Sequence, residues 1–278
     1  MAIIKRIYQL SDIHIPTYQK LDIYSEQLNK VITSISEDAT KSGLQPEEMR
    51  IVICGDLVHS KNIVTNELNV FVSLFIRQLS SIAKVICFAG NHDLIASNTS
   101  RTDTLSAIFQ TAQFDNALFL DMMLGYESGI VYDDNVTWAL YSIFDDFNTP
   151  DIENSKNEYP DNTVIGLYHG TIAGTKLFNG FVSDDGNSPE LFEGCDCVMA
   201  GHIHKRQKLR YGDCPIVYAG STIQQNYGES ITQHGYVVWD LENDTHDFID
   251  IPSDYSYIDM TINSIEDIAN DKEVINNY

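Results

Sequence analysis

An α/β fold with two sheets face to face and helices outside is predicted by three observations on this 278-residue chain. Apolar runs of strand length alternate with segments of helical period in the first third of the chain. Hairpin signals replace that alternation in the second half. Five of the apolar runs end in metal-ligand residues: Asp12-Ile13-His14, Gly55-Asp56-Leu57-Val58-His59, Gly90-Asn91-His92-Asp93, His169-Gly170 and Gly201-His202-Ile203-His204. Six of the eight histidines fall in these segments, which chance would scatter.

Strands are expected over 3–10, 50–54, 84–89, 163–168 and 197–200, each a short apolar run delivering its ligands at its C-terminal edge. Between the first two, Ile23, Leu28, Val31, Ile32, Ile35 and Ala39 recur at helical spacing over 22–42, and Gly43 closes the helix. Between the next two, Leu68, Phe71, Val72, Phe75, Leu79 and Ile82 repeat the pattern over 65–82. Strand, helix, strand, helix, strand implies a parallel sheet with right-handed crossovers. Ligand sites in such sheets collect outside the carboxyl ends of the strands. Hairpins follow at 129–132 and 136–144 around Asp133-Asp134-Asn135, at 207–211 and 215–218 around Gly212-Asp213-Cys214, and at 235–241 and 247–251 around Glu242-Asn243-Asp244. So many strands are buried most simply as two stacked sheets. From Ser253 the chain turns acidic and weakly periodic, with Ile258, Met260, Ile262, Ile265 and Ile268 as apolar anchors. The expected organisation is one domain over 1–252 and an acidic tail over 253–278, or the start of a capping region that continues beyond it.

The formal charge of −23 and pI near 4.4 weigh against unaided nucleic-acid binding, which normally needs a basic face. One basic run, Lys205-Arg206-Gln207-Lys208-Leu209-Arg210, follows the last metal motif and reads equally as a solvated hairpin arm or a phosphate-facing surface. A basic partner subunit could supply the rest. Of five cysteines, Cys54 and Cys87 sit in strand-like runs as small apolar residues. Cys195 and Cys197 form a CxC pair with no second pair at zinc-finger spacing, which favours a structural reading. No apolar stretch approaches the ~20 residues that cross a bilayer. Residues 3–10 run directly into the first motif, which leaves no room for a cleavable signal peptide. The expectation is a soluble cytoplasmic protein with reduced thiols and no membrane partner.

Two divalent ions about 3.5–4 Å apart can clamp a phosphate and activate a water, and they need one carboxylate that both share. Asp56 is the candidate bridge. Asp12 and His14, two apart on an expected strand, would point to one side, and His202 and His204 repeat that spacing. Nitrogen and oxygen ligands without thiolates suit Mn(II), Fe or Zn and do not decide among them. Each motif alone has a plain alternative: a turn after a strand for Asp12-Ile13-His14, a helix cap for Asn91-His92-Asp93, a core imidazole for His169. Their joint occurrence at strand ends is what makes them specific. His234 and His246 match no motif and read as structural.

In this order DxH, GD, GNHD, a lone histidine and GHxH resemble the calcineurin-like metallophosphoesterase family, along the whole chain. The resemblance implies a four-layer αββα sandwich of two mixed sheets flanked by helices, and a hydrolase acting on ester bonds. By position it implies that Asp12, His14, Asp56 and His204 hold one divalent metal, and Asp56, Asn91, His169 and His202 a second. Mn(II) is the foremost expectation, with Mg, Fe or Zn as alternatives. His92 would protonate the leaving oxygen or stabilise its charge, with Asp93 orienting its ring.

Within the family, His59 matches a phosphate-contacting histidine of the DNA-repair nucleases, whereas the GDxVDRG and GNHE patterns of protein phosphatases are missing from the sequence. Residues 215–229 with His234-Gly235-Tyr236 are similar to the segment after GHxH in SbcD nucleases and their bacteriophage counterparts. This resemblance implies a DNA endonuclease or exonuclease of repair and recombination, dimeric and working with an SMC-type ATPase. Lys205, Arg206 and Ser221 would contact the substrate. Two other functions compete. A phosphodiesterase for cyclic nucleotides or nucleotide conjugates suits the acidic surface better, and a non-catalytic scaffold would have no need of both ligand sets.

Overall fold

The structure is a computed structural model and describes residues 2–95, 98 and 101–258. The first sheet has the order β12-β11-β1-β2-β3-β4. It comprises β1 (Arg6–Leu10), β2 (Met49–Cys54), β3 (Lys84–Phe88), β4 (Ala117–Phe119), β11 (Gly235–Asp240) and β12 (Thr245–Asp250). β1 to β4 are parallel, and the β11–β12 hairpin adds antiparallel to β1. The second sheet has the order β5-β6-β7-β8-β10-β9, from β5 (Gly129–Asp133), β6 (Val136–Tyr141), β7 (Thr163–His169), β8 (Cys197–Gly201), β9 (Gln207–Tyr211) and β10 (Cys214–Tyr218). Its centre, β6-β7-β8-β10, is parallel, with antiparallel β5 and β9 at the edges.

Period-two alternation in the strands builds the layers. Ile51, Ile53, Val85 and Cys87 face α1 (Leu21–Ser42) and α2 (Asn66–Ser80), packing on Leu28, Val31, Ile35, Val72, Phe75 and Leu79. Their neighbours Val52, Cys54, Ile86 and Phe88 face the other way and meet Trp138, Leu140, Ile165, Leu167 and Met199 of the second sheet. The far side of that sheet is covered by α5 (Ile152–Glu158), the short turn Pro189–Phe192 and loops, around Tyr141, Tyr168, Phe192 and Tyr218. The fold is therefore the expected sandwich, with a thinner outer layer on the second sheet.

Three features depart from the sequence reading. The segment 104–123 holds α3 (Thr104–Ala112), β4 and α4 (Leu120–Met123), which periodicity did not single out because each is short. Strand β1 stops at Leu10, so Asp12 and His14 stand beyond it in left-handed backbone, φ 49° and 53°. His202 likewise follows the end of β8, with φ 87°. Of the expected tail, 253–258 return across α1, where Asp254 pairs with Lys30 at 2.6 Å and the Tyr257 amide donates to Gln224 at 2.8 Å. Residues 259–278, with Met260, Ile262, Ile265 and Ile268, lie outside the described residues. Among the described residues no helix is long and apolar enough to cross a membrane.

Polar groups tie the two sheets together. Gln9 on β1 donates to the carbonyls of Ala200 and Val217 and accepts from the Trp239 indole. At the opposite end of β2, the buried Arg50 guanidinium grips Asp133 through two bonds of 2.6 and 2.9 Å, and Lys84 adds a third of 2.9 Å. Burial works against a charged Asp133, but Arg50 and Lys84 outweigh it and hold the carboxyl down at about 2. A depressed carboxyl contributes stability above its unfolded value of 3.8, on the order of 2 kcal/mol, which is lost as pH falls through about 2. Asp133→Ala leaves Arg50 buried without its main partner and should cost about 3 kcal/mol in urea unfolding at pH 7. The difference from wild type should shrink as the pH is lowered from 4 towards 2.

Candidate metal centre

The parallel strands of both sheets end on the same edge, and every ligand motif sits at or just past a strand end there, His169 being the last residue of β7. The loops after β1 and β2 stay zipped beyond their strands. His14 N donates to the Asp56 carbonyl at 2.9 Å, Ile15 N to the Leu57 carbonyl at 2.9 Å, and His59 N back to the Ile15 carbonyl at 3.0 Å. Asp12, His14, Asp56 and His202 all have positive φ, a backbone that non-glycine residues hold only where the surroundings enforce it. Glycines clear the space between loops. A Cβ on Gly90 would strike the Asp56 carboxylate and amide, and one on Gly201 would strike the Cys54 carbonyl and the Ser11 hydroxyl.

Two groups of the predicted ligand atoms result, beside a third in which ligand atoms of His14, His59 and His92 converge within 4.8 Å. Ligand atoms of Asp12, His14 and His204 lie within 4.8 Å of one another, and so do those of Asp56, His169 and His202. Asp56 stands between the groups: its Oδ2 is 3.5 Å from His14 Nε2, and its Oδ1 is 3.3 Å from His169 Nε2. Asn91 Oδ1 completes the second group, 2.8 Å from His202 Nδ1 and 3.3 Å from His169 Nε2. In the first, His14 Nε2 and His204 Nε2 face each other at 3.0 Å, and His204 Nε2 is 3.8 Å from Asp12 Oδ1.

These spacings suit cations. Metal–nitrogen and metal–oxygen bonds of ~2.0–2.2 Å put neighbouring ligand atoms ~3.0–3.4 Å apart. Two imidazole nitrogens at 3.0 Å are held together either by a shared proton or by a cation between their lone pairs. The outer ring nitrogens of His169 and His204 are held in the way metal-ligating histidines require, whereas His14 Nδ1 is buried without a partner. His169 Nδ1 meets the Cys54 carbonyl at 2.8 Å and His204 Nδ1 meets Glu229 at 2.7 Å, which turns each Nε2 lone pair inward. The residues present therefore fit a divalent-metal centre with Asp56 between the two groups.

Electrostatics divides the histidines. Burial disfavours a charged His169, but the Asp56 and Asp12 carboxylates prevail and raise it to about 9. Burial also pushes Asp56 upward, yet His169, His14 and the His92 amide bring it below the usual carboxylate range. Burial, reinforced by the charge of His169, lowers His202 to about 4.

His92 and His59 flank the open side of the centre. Their rings and that of His14 lie 4.7 to 5.6 Å apart. The His92 amide donates to Asp56 at 2.7 Å, and its ring Nδ1 meets the His59 carbonyl at 2.7 Å. That contact corrects the expectation for Asp93, which does not orient the ring. Asp93 is fully buried and accepts from the amides of Leu57, Val58 and Gly90, bracing the two loops that carry Asp56 and Asn91. A carboxylate inside a turn between strands finds free backbone donors before it finds a neighbouring side chain.

The expected substrate contacts separate. Lys205 stays at the cleft, its Nζ 3.2 Å from the Leu177 carbonyl. Arg206 turns away to pair with Asp250 over the Phe248 ring. Ser221 is buried, its hydroxyl on His234 and Glu229 and its amide spent on the His204 carbonyl, so neither group is open to a phosphate. The position sequence reasoning passed over is Glu229. It accepts from His204, Asn226 and the Gln225 amide, and so holds a candidate metal ligand in place. An acid directly after the polar run Gln224-Gln225-Asn226-Tyr227-Gly228 is its sequence signal.

A family model described as calcineurin-like phosphoesterase matches residues 5–206. The chain belongs to this family. The family acts on phosphoesters with divalent metals, which agrees with the ligand groups described above. Among curated proteins, the uncharacterized protein R555 of Acanthamoeba polyphaga mimivirus is 34% identical over 266 residues, covering 93% of this chain. The chain spans 19% of that relative's length. Among solved structures, a novel archaeal phosphodiesterase is similar over 88% of this chain and 99% of its own, with TM-score 0.42 and 13% identity.

Removing the carboxylate that holds His204 tests the centre. Glu229→Gln keeps the size of the side chain and removes its charge, and should weaken Mn(II) binding about 10- to 100-fold by calorimetric titration. Gly201→Ala should lower affinity at least as much, because its methyl group displaces the Cys54 carbonyl that aligns His169. Unchanged Mn(II) affinity in both variants would count against these residues as supports of the centre.

Proposed function

We propose that this chain is a metal-dependent nuclease that hydrolyses phosphodiester bonds of DNA, with Mn(II) as its working metal. The observation that carries the reading is the His92–His59 pair beside two ligand groups joined by Asp56. A diester has a poor alkoxide leaving group and a single negative charge, so it needs a proton donor more than it needs added positive charge. His92, with its Nδ1–H donated to the His59 carbonyl, would supply that proton from Nε2 when its ring is protonated at both nitrogens. His59 offers a second ring for a phosphate oxygen. When bound, the two metals would neutralise the phosphate and activate the attacking water. This chain's own part is to hold Asp56, the four ligand imidazoles and Asn91 at fixed spacing and to keep His92 beside them on its bond to the His59 carbonyl.

The DNA reading draws on the resemblance of residues 215–229 to nuclease subunits and on His59. A charge of −23 leaves most of the phosphate binding to a basic partner, for which an SMC-type ATPase and a dimeric, cytoplasmic assembly are the proposal. A second reading has an observation in its favour. With Arg206 paired and Ser221 buried, Lys205 is the cation at the cleft among the three expected contacts, which suits a small diester such as a cyclic nucleotide.

With Mn(II), the chain should turn over bis-p-nitrophenyl phosphate. His92→Ala should lower kcat by about 10²- to 10⁴-fold while Mn(II) still binds, and Asp56→Ala should abolish both. Equal inertness of wild type and variants with metal bound would leave only a scaffold. A salt titration separates the substrates. DNA binding, alone or with the partner, should weaken steeply between low and moderate salt, whereas rapid turnover of cyclic nucleotides with no salt-sensitive DNA binding would favour the small diester.

A further inference from the structure

A cavity of 270 Å³ opens beside the first ligand group, walled by His202, Ile203 and His204 on one side and by Leu177 and Phe178 on the other. The second wall is a tight turn. Leu177 N donates to the Phe181 carbonyl at 2.8 Å, Gly180 N donates to the Leu177 carbonyl at 3.0 Å, and a bridge pairs Lys176 with Val182. The turn holds the Phe178 ring half-buried at the cavity rather than folded into the core. Lys205 pins it from the ligand side, with Nζ 3.2 Å from the Leu177 carbonyl and 5.9 Å from the centre of the Phe178 ring.

We propose that this cavity is a nucleobase subsite, with Phe178 as its stacking surface and Lys205 at the junction of base and phosphate. The proposal rests on the phosphodiesterase reading and specifies that its substrate carries a base next to the scissile phosphate. Three observations converge on it. The cavity is smaller than the ~300–1,000 Å³ of pockets that enclose drug-sized ligands, so it suits a single ring system. Its polar edge is the metal-ligand pair His202 and His204, so a ring inside it lies one phosphate away from the centre. Its apolar edge pairs an aromatic face with aliphatic Leu177 and Ile203, the surface that base stacking uses without regard to sequence. Asn226, also at the rim, has its amide committed to Glu229 and the Gly228 N–H, so recognition here falls to stacking rather than to hydrogen-bond readout of the base.

The test compares two probes that share the phosphate and differ in the base: deoxyadenosine 5′-monophosphate and methyl phosphate, titrated calorimetrically into the Mn(II)-loaded full chain. Wild type should bind the nucleotide at least about tenfold more tightly. Phe178→Ala should erase most of that preference and Phe178→Trp should keep it, with thermal unfolding midpoints confirming that both variants fold. Equal binding of the two probes by wild type overturns the subsite, and so does a preference that survives in Phe178→Ala. Failure of the phosphodiesterase reading shows elsewhere, as absence of bis-p-nitrophenyl phosphate turnover by the same wild-type preparation.

Discussion

Asp56 is a buried carboxylate that stays ionised, and its two oxygens serve three different loops. An anion in that position is costly unless positive charge surrounds it. The fold meets this demand by directing both sheets' parallel strands at one edge, so that His14, His169 and the His92 amide close on the same carboxylate. The same demand explains the glycines. Gly90 and Gly201 stand where any side chain would push a ligand loop away from its neighbour. Four ligand-loop residues accept left-handed backbone because the zipped loops and the Asp12 bond to the His202 amide leave them no other course.

Polar side chains cross between the sheets at a few points. Gln9 and the Arg50–Asp133 clamp join the sheets at separate points of an otherwise apolar interface containing Trp138, Phe88 and Met199. Interfaces of that kind fix the distance between sheets, and that distance sets whether Asp56 from one sheet can meet His169 from the other. Function thus depends on packing well away from the ligands.

The acidic surface and the cleft follow different logic. Overall charge repels polyanions, while the cleft concentrates imidazoles, Lys205 and the candidate metal-ligand groups. Substrate recognition is then local, and the basic run after the last motif does not contribute as a block. Lys205 faces the cleft, whereas Arg206 lies against Asp250. Successive residues leaving a strand point in different directions, so a run of like charges in sequence is seldom a patch in space.

Much of the fold was legible in the sequence. Strands β1, β2, β3, β7 and β8, helices α1 and α2 and three hairpins follow from periodicity and turn residues, because burial on one face or two imposes a repeat on local sequence. The ligand types and their positions at strand ends were equally local. What periodicity could not see was short or long-range: α3 and β4, the return of 253–258 across α1, and the partners of Asp93, Ser221 and Glu229. His14 and His204 are 190 residues apart, and no spacing rule brings their nitrogens to 3.0 Å. By itself, then, the sequence determined which chemical groups stand at the ends of which strands. Only the tertiary structure decided which of them share a cation site and which merely brace a loop, because each choice depends on contacts between segments whose separation along the chain carries no information about their distance in space.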